Sequence, residues 1–188
     1  MQRLSDIALI AQVVTLGSER AFGQLVRAHQ EAVRRFLRRL TAGDEMRADD
    51  LAQETFIRAW QGLSGFRQLS GFETWLLRIA YRVFLDDERA MTHSPLSYDG
   101  ASLASLENST TASAFLTRET SGTGLSMDLD QALATLSEIE RTCVVLQCVE
   151  GQKIRDIAQI TNLPENTVKS HLLRGKKNLA TYLRHNGY

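Results

Sequence analysis

The amino-acid sequence predicts an all-α protein in which two small helical domains are joined by a flexible linker. No stretch of useful length alternates between apolar and polar residues as a strand does, whereas apolar residues recur at helical spacing along most of the chain. Between the helical parts, residues 91–127 are rich in Ser and Thr and have no sustained apolar period. We therefore place the first domain at residues 1–90, the linker at 91–127 and the second domain at 128–188.

The first domain is predicted to contain three successive helices. Ser18 can cap a long helix that starts near Glu19, and Gly43-Asp44 separates it from a helix at about 45–62. After a loop at 63–69, Ser70 and Glu73 form a capping box for a helix that continues to about residue 90. The expected buried stripes are Phe22, Leu25, Val26, Val33, Phe36, Leu37 and Leu40 on the first helix, Met46, Leu51, Ala52, Thr55, Phe56 and Ala59 on the second, and Leu76, Ile79, Ala80 and Val83 on the third.

The second domain is predicted to start with a helical segment from about Leu129, followed by a capping box at Ser137 and Glu140. Its charge is uneven. Residues 128–150 hold one basic and five acidic residues, whereas residues 151–188 hold seven basic and two acidic residues, although the whole chain has a net charge of zero. A local basic cluster of this kind is typical of a surface that binds nucleic acid.

Residues 153–179 have the spacing of a helix-turn-helix. A first helix at about 153–160 carries the small Ala158, Asn162 suits a left-handed turn, and Pro164 suits the first position of the second helix. Val168 and Leu172 or Leu173 would pack the second helix on the first. The other face of the second helix is expected to enter the major groove of DNA, and its residues are Asn166, Lys169, Ser170, His171, Arg174 and Lys177.

Two readings of this second domain stay open from its residues alone. It could be a plain helical hairpin with a solvated basic face, or the DNA-binding part of a stand-alone transcriptional regulator. The string from Asn166 to His171 is also similar to the output domains of many response regulators. The helix-turn-helix therefore predicts DNA binding and no more specific role.

Several function classes find no support in the sequence. No nucleophile–base set, glycine-rich phosphate loop or metal-ligand cluster appears, so we expect neither an enzyme nor a metal or other cofactor. Cys143 and Cys148 are expected to be small buried apolar residues. No run is long enough to span a membrane, and residues 1–12 do not have the pattern of a signal peptide, so we expect a cytoplasmic protein without membrane insertion.

The N-terminal half carries the most specific motifs. The string Asp49-Asp-Leu-Ala-Gln-Glu-Thr-Phe-Ile-Arg-Ala-Trp60 closely resembles region 2.2 of the sigma-70 family, and Phe72-Glu-Thr-Trp-Leu-Leu-Arg-Ile-Ala80 extends the likeness. The resemblance covers roughly residues 10–185 and includes only sigma regions 2 and 4, which marks the extracytoplasmic-function (ECF) group. It implies a specificity subunit of bacterial RNA polymerase. Region 2 would dock on the β′ clamp coiled coil and melt the −10 element, and region 4 would dock on the β-flap and read the −35 element with the exposed face of its second helix.

The resemblance also assigns candidate roles to residues of the first domain. Core polymerase would be contacted by the polar side of the helix at 45–62, which holds Asp50, Gln53, Glu54 and Arg58. The opened −10 element would be held by Trp75, Arg78 and Arg82, and the loop before them would capture a flipped base with Phe66 and Arg67. Each set has a plainer alternative: the polar side could be merely solvated, and Trp75 could lie entirely in the core.

Three departures from the family pattern are visible. The acidic run Asp86-Asp-Glu88 is expected to weaken phosphate attraction near the −10 surface, and His171 and Gly175 replace residues common in the family, which could shift the −35 preference. An inhibitory anti-sigma partner is expected by resemblance alone. The competing function is a stand-alone helix-turn-helix regulator, which has no use for the string at residues 49–60.

Overall fold

The computed structural model describes residues 2–67, 70–92 and 124–186. Regular structure in these ranges is entirely helical, which confirms the all-α prediction. The elements are α1 (Gln2–Leu16), α2 (Glu19–Leu40), α3 (Glu45–Gly62), a 3-10 turn (Leu63–Gly65), α4 (Phe72–Thr92), α5 (Gly124–Ala134), α6 (Glu138–Cys148), α7 (Ile154–Thr161) and α8 (Glu165–His185). The flexible linker predicted at 91–127 falls mainly on residues 93–123, outside the described ranges.

The long helix α2 organises the first domain by packing on α1, α3 and α4. Ser18 caps it as predicted, because the Ser18 Oγ accepts a hydrogen bond from the Ala21 N–H at 3.2 Å. Five residues of its predicted stripe are buried, and these are Leu25, Val33, Phe36, Leu37 and Leu40. The remaining two, Phe22 and Val26, are half-buried.

The helix α3 has the predicted bounds, but one stripe residue was wrong. Asp44 caps α3 by accepting the Arg47 N–H at 3.1 Å, after a turn in which Ala42 and Gly43 take left-handed φ angles of 53° and 88°. Met46 was expected to be buried and is 67% exposed. At about 100° per residue, Met46 lies about 180° from the buried Thr55, so it faces solvent.

The helix α4 starts one residue later than the predicted capping box allows. Its first helical hydrogen bond joins the Trp75 N–H to the Gly71 carbonyl at 3.1 Å, so Gly71 rather than Ser70 has the cap position. The predicted capping box at Ser70 and Glu73 is therefore wrong. The predicted buried arc holds for Leu76, Ala80 and Val83, while Ile79 is half-buried.

The helix α1 was not predicted. Its side chains Ile10 and Val13 are buried against the rest of the first domain. Asp6 is also buried, and its Oδ2 lies 3.2 Å from the Nε2 of His29 on α2. This polar contact explains how an acidic residue can interrupt an apolar stretch of a packed helix, since a buried carboxylate needs a hydrogen-bonding partner.

The second domain is built on the packing of α6, α7 and α8. The helix-turn-helix is present: Asn162 ends α7 with a left-handed φ of 57°, as predicted, and Val168 and Leu172 of α8 are buried. Pro164 is the N-cap of α8 rather than its first residue. Ser137 takes the N-cap position of α6 without a side-chain cap hydrogen bond, so that capping box was wrong as well.

The two cysteines differ from each other. Cys143 is buried in the core of the second domain, as expected, and burial raises the pKa of its thiol to about 11. Cys148 was also expected to be buried and is exposed. Five helical positions turn about 500°, so the two side chains cannot share the buried side of α6.

The two domains lie directly against each other. α4 packs on α7, and α2 packs on α6. Arg39 of α2 pairs with Asp130 of α5 at 2.5 Å, and the Arg141 Nη1 donates to the Leu40 carbonyl at 2.9 Å. The sequence contains no signal for this closed arrangement, because the contacts join residues about a hundred positions apart. None of the helices in the described ranges combines the length and apolar character needed to cross a bilayer.

Candidate nucleic-acid interface

The outer face of α8 is the best-formed candidate DNA surface. Val168, Leu172 and Gly175 are buried and fix the orientation of the helix on α6 and α7. The opposite side therefore faces solvent. Five of the six predicted residues are exposed, and they are Asn166, Lys169, Ser170, Arg174 and Lys177.

Arg174 and His171 lie at the edge of this face, nearer to α6. Arg174 donates from Nη2 to the Nδ1 of His171 at 3.1 Å, and its Nε lies 3.6 Å from a carboxylate oxygen of Glu140 on α6. His171 is half-buried. The positive charge of Arg174 is thus shared with the protein and sits at the edge of the exposed face.

Gly175 belongs to the packing of the domain and not to its DNA face. It is buried where α8 crosses α6, and a Cβ atom there would lie 2.9 Å from the Val144 Cγ2. The absent side chain lets the two helices approach closely. Any effect of Gly175 on the −35 preference would therefore act through the packing of α8 on α6.

The candidate −10 surface begins with an aromatic cluster. Phe66, Phe72 and Trp75 are mutual neighbours, with ring centroids 5.3–5.8 Å apart. Trp75 and Phe66 are half-buried, so neither is entirely core, and Arg67 is exposed. The loop thus presents aromatic and basic groups together, which is what stacking on an unpaired base requires.

A cavity of about 360 Å³ lies beside this cluster. It is bounded by α1, the loop and α7, and its lining includes Phe66, Phe72, Asp6, Lys153 and Arg155. The Oδ1 of Asp6 is buried and has no hydrogen-bond partner among the described residues. The cavity therefore has aromatic side chains on one side and basic side chains of the second domain on the other.

Arg78 and Arg82 have different environments. Arg82 is exposed, whereas Arg78 lines a shallow crevice between α4 and the helix-turn-helix. Its Nε is buried and has no hydrogen-bond partner in the described part of the chain. On the second domain, the crevice is lined by Arg155, Ala158, Gln159, Asn162, Leu163, Pro164 and Glu165. The second domain thus covers part of the candidate −10 surface.

The acidic run at the end of α4 is paired with arginines of α3. Asp87 and Glu88 both contact Arg47, at 2.5 Å each, and Asp86 contacts Arg58 at 2.6 Å. Three acidic residues that the sequence suggested would repel phosphate are thus neutralised within the domain. They tie the end of α4 to α3.

The outer side of α3 holds the predicted core-binding residues in two groups. Asp50 and Gln53 are exposed. Glu54 and Arg58 form an ion pair at 2.7 Å, and the same arginine reaches Asp86. Asp50 and Gln53 are thus free to meet a partner, while Arg58 is already engaged.

Sequence reasoning missed the apolar part of this face. Met46 and Ile57 are 67% and 45% exposed. Trp60 is 38% exposed and packs edge-on against Phe22, with the two ring centroids 4.9 Å apart. At about 100° per residue, Met46, Asp50, Gln53 and Ile57 form one row opposite the buried side. The spacing of Met46 and Ile57 from Asp50 and Gln53 is a signal that could have revealed them. The row Met46, Asp50, Gln53 and Ile57 is called the α3 outer row below.

Titratable groups at the contact between the domains are shifted by burial. Burial raises the pKa of the Tyr81 phenol to about 12, and a hydrogen bond with Thr142 of α6 partly offsets the shift. Burial also raises the pKa of the Glu138 and Glu150 carboxyls. No group of three or more His, Cys, Asp and Glu side chains in the described ranges is arranged to hold a metal ion.

Comparisons with known proteins agree with this arrangement of two units. Residues 25–91 match the family model of sigma-70 region 2, and residues 126–179 match that of sigma-70 region 4. The ECF RNA polymerase sigma factor SigW of Bacillus subtilis is 30% identical over 91% of this chain and 93% of its own. The ECF RNA polymerase sigma-E factor of Haemophilus influenzae is 30% identical over 94% of each chain.

Two solved structures are similar over most of the chain. One is the sigma factor RpoE in complex with the anti-sigma factor NepR from Bartonella quintana, with a TM-score of 0.70 and 25% identity over 87% of this chain and 96% of that one. The other is CnrH in complex with the cytosolic domain of CnrY, with a TM-score of 0.70 and 24% identity over 97% and 99% of the two chains.

Proposed function

Because this chain belongs to the sigma-70 family as an ECF RNA polymerase sigma factor, we propose how its residues divide the work of promoter recognition. The first domain binds core polymerase and opens the −10 element, and the second domain reads the −35 element. The protein acts by binding and not by catalysis, in the cytoplasm where polymerase and chromosome meet. The proposed domain limits are residues 1–90 and 128–188, with 91–127 as the connection.

The observation that carries this proposal is the α3 outer row. Met46 and Ile57 are large apolar side chains in solvent, and Asp50 and Gln53 lie between them. A surface of this composition suits contact with another protein, since apolar area supplies affinity and the flanking polar groups supply orientation. We propose that this row docks on the β′ clamp coiled coil, and that the second domain docks on the β-flap.

The outer face of α8 is proposed to read the −35 element. Asn166, Lys169 and Ser170 lie near the N-terminal end of α8, which is the part that enters the major groove in helix-turn-helix proteins. Lys177 is farther along and suits a phosphate contact, and Arg174 and His171 reach the edge of the same face. Base contacts would set the sequence preference and phosphate contacts the register.

The −10 element is proposed to be opened by α4 and the loop before it. Trp75 and Phe66 offer ring faces for unpaired bases, and Arg67, Arg78 and Arg82 offer charge for phosphates. The loop residues Phe66 and Arg67 are proposed to hold a flipped base. Since the helix-turn-helix lies over Arg78, the two domains separate before this surface binds DNA.

An anti-sigma factor is proposed as a further partner. One of the similar solved structures is a complex of a sigma factor with an anti-sigma factor, and its likeness, at 25% identity, spans 87% of this chain. A protein that held the two domains of this chain in their closed arrangement would keep α7 over Arg78. It would thereby block −10 binding without touching the DNA-reading face of α8.

The test is run-off transcription with core polymerase and promoters selected from a random library by the same holoenzyme. We expect Asp50→Lys to abolish binding to core polymerase and transcription while the helical content stays unchanged. The matched control is Glu31→Lys, which reverses an exposed acidic residue on α2 and should leave both activities intact.

A stand-alone regulator predicts the opposite pattern. The proposal fails if the purified protein protects its promoters strongly by itself and adds nothing to core polymerase. Unchanged polymerase binding by Asp50→Lys would remove the α3 outer row from the interface.

A further inference from the structure

Leu173 is a large apolar side chain that the fold leaves in solvent. It is 74% exposed, whereas its neighbour Leu172 is 5% exposed and packs α8 on the rest of the domain. Of the large apolar side chains described on α8, Leu173 is the one that is mostly exposed. A single exposed apolar side chain is common on protein surfaces, so the role of Leu173 depends on the residues that surround it.

The position of Leu173 on the helix identifies the partner. At about 100° per residue, Leu173 lies about 20° from Asn166 and about 40° from both Lys169 and Lys177 around the axis of α8. It is therefore in the middle of the exposed polar and basic face, and not at its border with α6 or α7. Whatever meets Asn166 and Lys169 also meets Leu173.

DNA offers one suitable apolar group at that place. In the major groove, the base edges present hydrogen-bond donors and acceptors, and thymine adds a 5-methyl group. We propose that Leu173 contacts the 5-methyl group of a thymine in the −35 element and makes that base pair a specificity determinant. This inference rests on the proposed role of α8 in reading the −35 element.

The contact would complement its polar neighbours. Asn166 and Lys169 can select bases by hydrogen bonds, but cytosine and thymine differ at the major-groove edge also by the methyl group. An aliphatic side chain gains from burying that methyl and gains little from cytosine. Leu173 would thus add to the discrimination against a T-to-C change that the hydrogen bonds provide.

The test replaces thymine by deoxyuridine, which removes the methyl group and leaves the base-pairing edge unchanged. Each thymine on either strand of a selected −35 element is replaced singly, and binding by the holoenzyme is measured. We expect one position at which the substitution weakens binding about four-fold, the effect of withdrawing roughly one buried methyl group. Leu173→Ala should weaken binding to the thymine promoter by at least as much and be insensitive to deoxyuridine at that position.

The control variant is Leu16→Ala, which truncates a leucine that is 77% exposed on α1, away from α8. It should retain the full sensitivity to deoxyuridine. Circular dichroism of both variants checks that the helices are intact, which is expected because neither side chain is packed.

The outcomes separate this inference from the function on which it rests. If no deoxyuridine substitution matters, or if Leu173→Ala loses the same factor on thymine and deoxyuridine promoters, the methyl contact is refuted. A selected element without thymine on either strand would refute it too. If scrambling the whole −35 element leaves binding unchanged, the assignment of α8 itself fails.

Discussion

The guanidinium group of Arg35 forms a bidentate ion pair with the carboxylate of Glu150 across the contact between the two domains. The Arg35 Nε and Nη2 donate to the two carboxylate oxygens at 2.9 and 2.5 Å. The side chain of Glu150 is 1% exposed, whereas that of Arg35 is 37% exposed. Burial raises the pKa of Glu150, and the guanidinium partly offsets the shift. The closed arrangement therefore buries an acidic group. The free-energy cost of removing its charge from water is partly offset by an arginine on the other domain.

Removing the arginine should be worse than neutralising the acidic residue. Arg35→Ala leaves the buried carboxylate without its partner, and we expect a loss of about 2 kcal/mol in the stability of the closed form. Glu150→Gln keeps the shape and removes the charge, with an expected loss of about 1 kcal/mol. Urea unfolding and the radius of gyration from small-angle scattering report the two effects. Equal losses, or a larger loss for Glu150→Gln, would contradict this account.

The acidic run of α4, Asp86 to Glu88, should stabilise the folded first domain. Asp87→Asn removes a partner of Arg47, whose side chain is 20% exposed, and should lower the free energy of unfolding by about 1 kcal/mol. Asp86→Asn is the matched control, because its pair with Arg58 is more exposed and should contribute less than about 0.5 kcal/mol. Thermal or urea unfolding distinguishes them. A gain of promoter opening by Asp87→Asn with no loss of stability would show that the run mainly repels DNA.

The apolar half of the α3 outer row should matter for polymerase binding. Ile57→Ser is expected to weaken binding to core polymerase by about 1–2 kcal/mol, because it removes most of an apolar side chain from the interface. The side chain is 45% exposed, so the free protein should lose little stability. Ile7→Ser, at 41% exposure on α1, is the matched control and should bind normally. Equal affinities for the two variants, measured by titration of labelled protein, would contradict the prediction.

The turn of the helix-turn-helix should tolerate glycine better than alanine. Asn162 has a φ of 57°, a conformation that costs an ordinary side chain about 1 kcal/mol or more. Asn162→Ala should therefore lower the free energy of unfolding by about 1 kcal/mol and weaken −35-dependent transcription, while Asn162→Gly should be near neutral. The measurement is chemical denaturation followed by circular dichroism. A destabilised glycine variant would mean that the asparagine side chain, and not its backbone angle, is what the turn needs.

Local sequence patterns were sufficient for elements that local physics determines. Ser18 and Asn162 predicted a cap and a turn correctly, because each side chain acts on its own backbone neighbours. The helix-turn-helix and the helix at 45–62 followed from apolar spacing. The family resemblance then supplied roles that spacing could not.

What the sequence could not predict depends on residues that are distant along the chain. The pair of Arg35 and Glu150 joins positions 115 apart, and Arg47 meets Glu88 across 41 positions. The helix α1 was missed because Asp6, which suggests an exposed segment, is buried beside His29. Met46 and Cys148 were misplaced for a related reason: an apolar residue type does not determine which side of a helix is covered.

The position of Arg78 beneath the helix-turn-helix has a quantitative consequence for promoter use. A DNA strand that needs Arg78 binds only those molecules whose domains have already parted, so its apparent affinity is scaled down by their fraction. If closed molecules outnumber open ones by about a hundred to one, the affinity falls about a hundred-fold. Docking on polymerase would have to favour the parted state by only about 2.8 kcal/mol to restore it. A modest bias between two arrangements of one chain can thus decide when the factor engages a promoter.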